Sequence, residues 1–423
     1  TSHRRLCRPR ASPTRFALAV TTAVTGCGDV ADAGTTRVVA DSAGVQIVTI
    51  RMLADNVIER WRHRGTPELN IGVNSGSSEL ELSEVIGAVR LPDGRIVVGN
   101  GGTNELRWYT PDGQWLFSTG GEGEGPGEFR SLDFLSLVGR DTIMVHDGRL
   151  QRLSLFNGVG EFLDSRGPRT GEAASLPRVA GVLNTGSVVA WSFQGDDDGR
   201  LGIYAPSFQV SMADAWHASS ARVIATGRSG EEARVRFQGR VTRAFRPFGF
   251  EADVAAGGEF VFVLTSSDDR SIQVFDNTGT MRAVLRVEIR RQPVDAEAVA
   301  AWADSWIARF TDGSAALEAW WRHGFRETPA PEFVPVFRSL EVDYHGNICA
   351  ERYPLTMDSV PEYWCFSPEG RFLRSIVLPR GLFRAGPHPH FDAQLAIGSD
   401  HVLGVWEDDV GVQYVRLYRL RPQ

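Results

Sequence analysis

Hydrophobic and polar residues alternate along residues 84–121 with the period of two that is typical of half-buried β-strands. Two Pro-Asp-Gly turns, at 92–94 and 111–113, divide this stretch. Proline presets the φ angle of a tight turn, and glycine accepts the positive φ angle that follows it. The pattern therefore predicts four antiparallel strands joined by short turns.

The same unit recurs in degenerate form along the chain. Further copies span residues 131–167, 179–227, 251–287 and 338–378, and a three-stranded copy spans 394–420. Repeated four-stranded antiparallel units of this size are typical of β-propeller blades. We therefore predict an all-β fold, a six-bladed β-propeller over residues 40–423, with the strand-like segment 40–50 pairing with the last blade to close the ring. The third unit is long and irregular, which leaves five or seven blades as alternatives.

One segment, residues 294–330, departs from the β pattern. Apolar residues recur every three or four positions in 295–310 and again in 316–325, as on the buried face of an amphipathic helix. We predict a short helical insertion between the fourth and fifth blades. Its tryptophans form either a packing face against the propeller or an exposed lid or partner-docking patch.

The N-terminal pattern indicates export. Residues 1–15 carry five arginines and no acid, and a short apolar run at 16–24 follows, as in a secretory signal peptide. The Val-Thr-Gly-Cys sequence that ends at Cys27 resembles the bacterial lipobox, which implies cleavage before this cysteine and attachment of a lipid to its sulfur. We expect a lipoprotein signal peptide at 1–26, a linker at 27–39, and a lipid-anchored protein of the bacterial envelope that faces the periplasm or the cell surface. The alternative is an ordinary signal peptide with a chance cysteine.

The net charge and the lack of lysine exclude several kinds of binding partner and of chemistry. The chain has 45 basic and 52 acidic residues, and every basic residue other than histidine is arginine. The lack of lysine excludes Schiff-base chemistry and a P-loop. Loss of residues 1–26 removes five arginines and no carboxylate, so the net charge of −7 becomes −12. A domain this acidic is repelled by nucleic acid, and we expect no nucleic-acid partner.

Two cysteines remain after the signal peptide and the lipid site are set aside. Cys349 and Cys365 lie in strand-like runs joined by a turn-rich segment. If the strands pair as a hairpin, the thiols can face each other, and an oxidising compartment would join them. The alternative is a pair of buried, reduced cysteines.

Two segments look like binding motifs, one for phosphate and one for Ca²⁺, but we interpret both as structural. The glycine-rich segment 120–129 superficially resembles a phosphate loop, but its three glutamates would repel phosphate and no helix follows. We predict a crossing between two blades. The acidic segment 195–199 lacks the distal glutamate of an EF-hand, and we predict a solvated hairpin tip.

The only local cluster with metal-ligand chemistry is formed by His388, His390 and Asp392. The two histidines alternate around a proline and could share one face of an extended segment, although further ligands would have to come from other blades. We expect no cofactor. The alternative is a Ca²⁺ or Zn²⁺ ion bound in the central channel.

The pattern as a whole resembles the NHL-like six-bladed β-propellers, including secreted bacterial members. The resemblance is carried by residues 91–98, 109–113 and 120–129, with further similarity at 41–45 and 340–347. It implies the architecture rather than an activity. Because no set of residues argues for a defined reaction, we expect an envelope-anchored, monomeric scaffold that binds a small molecule or an envelope protein. The alternative is a metal-dependent hydrolase or lyase of the lactonase type.

Overall fold

The structure is a computed structural model. It describes residues 35–52, 59–167, 178–194, 200–214, 221–265, 270–311, 313–382, 394–408 and 410–423. In these ranges the chain is mostly β, with two α-helices and one short 3-10 helix. None of the helices described is both long and apolar enough to cross a membrane.

The strands of the first half are β1 (Thr35–Ser42), β2 (Val45–Met52), β3 (Arg60–His63), β4 (Leu69–Ile71), β5 (Val85–Arg90), β6 (Ile96–Asn100), β7 (Glu105–Tyr109), β8 (Trp115–Gly120), β9 (Leu132–Val138), β10 (Thr142–Asp147), β11 (Arg152–Phe156), β12 (Phe162–Arg166), β13 (Arg178–Val182), β14 (Ser187–Gln194), β15 (Gly202–Tyr204), β16 (Ser207–Asp214) and β17 (Arg222–Arg228). The 3-10 helix, Gly101–Thr103, follows β6.

The second half contains β18 (Glu232–Phe237), β19 (Arg240–Phe245), β20 (Asp253–Gly257), β21 (Phe260–Leu264), β22 (Ser271–Asp276), β23 (Met281–Glu288), α1 (Ala296–Phe310), α2 (Ala315–Glu327), β24 (Phe337–Val342), β25 (Ile348–Arg352), β26 (Glu362–Phe366), β27 (Phe372–Val377), β28 (Ala396–Ile397), β29 (His401–Glu407) and β30 (Gln413–Pro422).

Antiparallel pairing groups the strands into successive runs. Two separate four-stranded sheets, β5–β8 and β9–β12, come first, and β13, β14, β16 and β17 form the third run. The fourth and fifth runs are β20–β23 and β24–β27, and β28–β30 form the last. The tight turns are those that the sequence predicts: Gly94 and Gly113 end the two Pro-Asp-Gly turns with φ angles of +91° and +88°.

The N-terminal segment differs from the prediction. Residues 40–50 do not pair with the last strands, because β2 lies parallel to β23, with Gln46–Arg51 opposite Ala283–Glu288. Val48 and Ile50 are thereby buried between the fourth and fifth runs. Two later segments pair with β30 in antiparallel register: β3, with His63 opposite Leu420, and β4, with Ile71 opposite Val415. Strand β1 also begins at Thr35, inside the stretch expected to be a linker.

The hydrophobic core lies between the runs. Separate clusters of buried side chains join each run to the next, and one further cluster joins the last run to the first. In that cluster, Leu403 and Val415 of the last run pack with Val85 and Ile96 of the first. Each sheet is therefore buried on both faces, which explains why β6 reads as five consecutive buried residues.

The helical insertion packs against a small additional sheet, β15-β18-β19. The predicted helices are present as α1 and α2, and each begins at a side-chain cap: Asp295 accepts from Ala298, and Ser314 accepts from Leu317. At Gly324, α2 lies so close to β19 that a Cβ atom would be only 2.8 Å from the Cβ of Ala244.

Candidate functional site

Most residues that the sequence marks for chemistry lie outside the described residues. Cys27 precedes the first described residue, and His388, His390 and Asp392 fall in the gap at 383–393. The acidic segment 195–199 also lies outside. Among the described residues, no group of three or more His, Cys, Asp or Glu side chains is arranged to hold a metal ion. The metal ligands and the lipid site therefore stay predictions.

Cys349 and Cys365 face each other across β25 and β26, and their sulfur atoms are bonded at 2.04 Å. Both residues are fully buried in the cluster that joins the fifth and sixth runs. Solvent does not reach the sulfurs, so this disulfide contributes to the core and offers no accessible thiol.

A large cleft lies between the sheets and α1, with a volume of about 1140 Å³. Its wall includes Arg178 and Asp253, where β13 and β20 begin, and Phe193 and Arg352, near the ends of β14 and β25. In an antiparallel run, the first strand begins at the edge where the second strand ends. The cleft therefore lies at one edge of three consecutive runs, where the chain passes from each run to the next.

Three long connections enclose the cleft. One carries β18 and β19, one carries α1 and α2, and one is the loop 353–361 between β25 and β26. Tyr353 links the loop 353–361 to the connection that carries β18 and β19. Its hydroxyl donates a hydrogen bond to the carbonyl oxygen of Gly249 at 3.0 Å. Burial raises the pKa of this phenol, so it remains a protonated donor.

The wall that α1 contributes is aromatic. The rings of Trp302 and Trp306 stack with centroids 5.2 Å apart, and Phe310 meets Trp306 edge to face at 4.6 Å. Phe245 of β19 also packs against Trp306, with ring centroids 5.0 Å apart. The tryptophans thus do what the packing interpretation predicts, and they line a cleft as well. Leu317 is one of the apolar residues of the 316–325 pattern that were expected on the buried face, but it is exposed.

Two indole N–H groups beside the cleft have no acceptor among the described residues. Trp302 and Trp306 are only 3% and 9% exposed, and neither indole Nε1 donates a hydrogen bond within the described part of the chain. A buried N–H group without an acceptor costs about 1–3 kcal/mol. A bound molecule that brought an acceptor to either indole would recover this free energy.

Charged residues complete the wall. Among the described residues that line the cleft are nine arginines and seven carboxylates. The ion pairs between them include Arg246–Glu231 at 2.5 Å, Arg243–Glu232 at 3.6 Å and Arg338–Glu251 at 3.8 Å. Arg290 and Arg380 are exposed, and neither forms an ion pair with any described residue. The cleft therefore combines an aromatic wall with an excess of positive charge.

Sequence reasoning did not find this cleft. The tryptophan spacing predicts the helices only. The hairpin β18–β19 is not among the predicted elements, although its sequence carries the signal of a tight turn between two strands. Gln238 and Gly239, the two residues of its turn, both have positive φ angles, and alternating apolar residues flank them.

No family model matches the chain, and no curated protein matches it. Solved structures do. The chain is similar to a member of the DUF4221 family from Bacteroides vulgatus, with 10% identity over 86% of this chain and 99% of that one and a TM-score of 0.44. It is also similar to the calcium-binding protein regucalcin from Agrobacterium tumefaciens, with 10% identity, 86% and 97% coverage and a TM-score of 0.36. A virginiamycin B lyase from Staphylococcus aureus gives 7% identity, 84% and 88% coverage and a TM-score of 0.35. All three are propeller-like proteins.

Proposed function

We propose that this protein is an exported, lipid-anchored six-bladed β-propeller that binds an organic small molecule in the cleft beside α1 and performs no reaction of its own. The observation that carries the proposal is the cleft itself: a space of about 1140 Å³ lined by an aromatic wall, by two indole N–H groups without a described acceptor and by charged residues. Concave sites that combine apolar and aromatic walls with fixed polar groups are typical of ligand pockets.

The pairing of the strands supports a ring of six blades. Every run packs against two neighbours through buried clusters, and the last run also packs against the first. The last run has only three strands of its own, and β4 pairs with β30 as a fourth. We infer that Leu69–Ile71, rather than residues 40–50, is the closing strand. A closed ring covers both faces of every sheet, which suits a rigid binding scaffold.

Export and anchoring stay proposals that rest on the sequence around Cys27. The Cys349–Cys365 disulfide is consistent with an oxidising compartment. We expect the wild-type protein, expressed in a bacterium that processes lipoproteins, to enter the detergent phase of a Triton X-114 partition. The Cys27→Ser variant should enter the aqueous phase. Equal partition of the two proteins would overturn the lipid anchor and leave the cleft proposal untouched.

Ligand binding is tested on the full chain carrying Cys27→Ser, with the neutral fluorescent probe N-phenyl-1-naphthylamine. Leu355 and Val360 line the cleft and are each 41% exposed, so both can be changed without opening the core. We expect saturable binding of one probe per chain, weakened roughly tenfold by the double change Leu355→Gln and Val360→Gln, which corresponds to about 1.4 kcal/mol.

The matched control changes two exposed valines outside the cleft, Val159 and Val410, to glutamine. This variant should bind the probe as the parent does. Unsaturable binding, or the same loss in both double variants, would refute the cleft as the binding site. Elemental analysis of the same preparation addresses the alternative: one Ca²⁺ or Zn²⁺ per chain that survives dialysis would replace the binding proposal with a metal-dependent hydrolase or lyase.

A further inference from the structure

The cleft has a charge of opposite sign to the protein that contains it. Its described lining residues have two more arginines than carboxylates, whereas the whole chain has seven more carboxylates than basic residues. An excess of one sign of charge in a cleft favours ligands of the other sign, and low-dielectric walls strengthen the effect. An anion is the ligand charge that this distribution favours.

The hydrogen-bonding groups of the wall agree with this choice. The indole N–H groups of Trp302 and Trp306 donate to no described acceptor, and an indole has no acceptor of its own. Among the described lining residues, Glu232 Oε2 is the one buried acceptor that receives no hydrogen bond, and it already lies 3.6 Å from the Arg243 guanidinium. The buried groups left for a ligand are therefore mainly donors, and their complement is a group rich in acceptors.

Arg290 and Arg380 supply the cations for that group. The guanidinium of an arginine binds carboxylate, sulfonate and phosphate groups through paired hydrogen bonds. Most other arginines of the wall have partners, such as the carboxylate of Glu231 for Arg246. Arg290 and Arg380 are exposed at the cleft and form no ion pair with a described residue, so an incoming anion would not have to displace a carboxylate.

We propose that the cleft binds an organic anion: an aromatic or otherwise apolar body that packs along the wall near Trp306, with a carboxylate, sulfonate or phosphate group that pairs with Arg290 or Arg380. The inference rests on the proposed function, because it names the ligand class of the same cleft. The aromatic wall accounts for the body, and the two arginines account for the charge.

A matched pair of probes tests the ligand class. 8-Anilinonaphthalene-1-sulfonate has the same aromatic skeleton as N-phenyl-1-naphthylamine and adds one sulfonate. On the full chain carrying Cys27→Ser, we expect the sulfonate probe to bind at least about tenfold more tightly than the neutral probe. The double change Arg290→Gln and Arg380→Gln should remove that advantage and leave the affinity for the neutral probe unchanged.

Arg371 provides the control, since it is exposed, lies outside the cleft lining and has no side-chain partner among the described residues. Arg371→Gln should leave both affinities unchanged. If neither probe binds the parent protein, the proposed function itself fails. If both bind equally, or if Arg371→Gln weakens the sulfonate probe as much as the double change does, the cleft still binds ligands but the anionic class is overturned.

Discussion

The indole rings of Trp302 and Trp306 stack on successive turns of α1, with centroids 5.2 Å apart and planes inclined by 22°. Trp306 also packs against Phe245 of β19 at 5.0 Å and against Trp321 of α2 at 5.3 Å. One side chain therefore joins both helices to the small sheet, and the same side chain lines the cleft. Packing of the insertion and the shape of the candidate site depend on a single aromatic cluster.

Replacing Trp306 by alanine should strongly destabilise the protein. The change removes a buried ring from that cluster, and substitutions of this kind cost about 3–5 kcal/mol. Urea unfolding followed by circular dichroism and tryptophan fluorescence measures the loss. Leu317→Ala is the control: it changes an exposed residue of the neighbouring helix and should cost less than about 0.5 kcal/mol. Similar midpoints for the two variants would mean that the aromatic cluster does not hold the insertion in place.

Arg152 should stabilise the glycine-rich crossing at 120–129. Its guanidinium donates to the backbone carbonyl oxygens of Glu124 at 2.9 Å and Gly125 at 3.1 Å, and also to that of Glu128. Hydrogen bonds from charged groups contribute about 1.5–3 kcal/mol, so Arg152→Ala should lower the free energy of unfolding by roughly that amount. Amide hydrogen exchange should accelerate within the crossing.

The exposed Arg149 is the matched control, because its side chain contacts no described partner by hydrogen bond or ion pair. Arg149→Ala should leave both the free energy of unfolding and the exchange rates of the crossing as they are. Unchanged exchange in Arg152→Ala would show that backbone bonds alone hold this segment, such as the one from Gly123 N–H to Phe129.

Local signals account for the part of the fold that the sequence predicts. Gly94 and Gly113 mark turns through a conformation that few other residues adopt, and strand alternation around them is visible without knowledge of distant residues. Parallel pairing between distant strands has no comparable local signal in the sequence. The contact of β2 with β23 joins residues more than 200 positions apart, and an alternating strand does not specify which partner it will find.

The candidate site was less predictable than the fold, for a related reason. The cleft is lined by segments as distant as Arg178 and Arg380, which only the assembled structure brings to one place. The regular spacing of Trp302 and Trp306 indicated a buried helix face but not that this face borders a cavity. No local pattern distinguishes an arginine with a carboxylate partner, such as Arg246, from one without, such as Arg290.

The Cys349–Cys365 disulfide should stabilise the fifth run. It closes a 16-residue separation, and a crosslink over a loop of this length stabilises by about 3 kcal/mol. The double change Cys349→Ala and Cys365→Ala should therefore lower the thermal midpoint, measured by circular dichroism. Because both sulfurs are fully buried, dithiothreitol should act on the wild type only after partial unfolding. The reductant should have no effect on the double variant. Equal thermal midpoints for the wild type and the double variant would exclude a stabilising role of the disulfide.

Asp276 should make stability depend on pH in the acid range. Partial burial alone would raise its pKa, but bonds from the Thr278 hydroxyl, the Thr280 N–H and the Arg282 guanidinium outweigh burial and lower it from 3.8 to about 2. Because the pKa in the folded state lies below that in the unfolded state, this stabilisation is present above pH 3.8 and is lost as the pH falls towards 2. Urea unfolding across this range should show a shallower dependence on pH for Asp276→Asn than for the wild type. Parallel curves would mean that the carboxylate of Asp276 is no more stable in the folded chain than in the unfolded one.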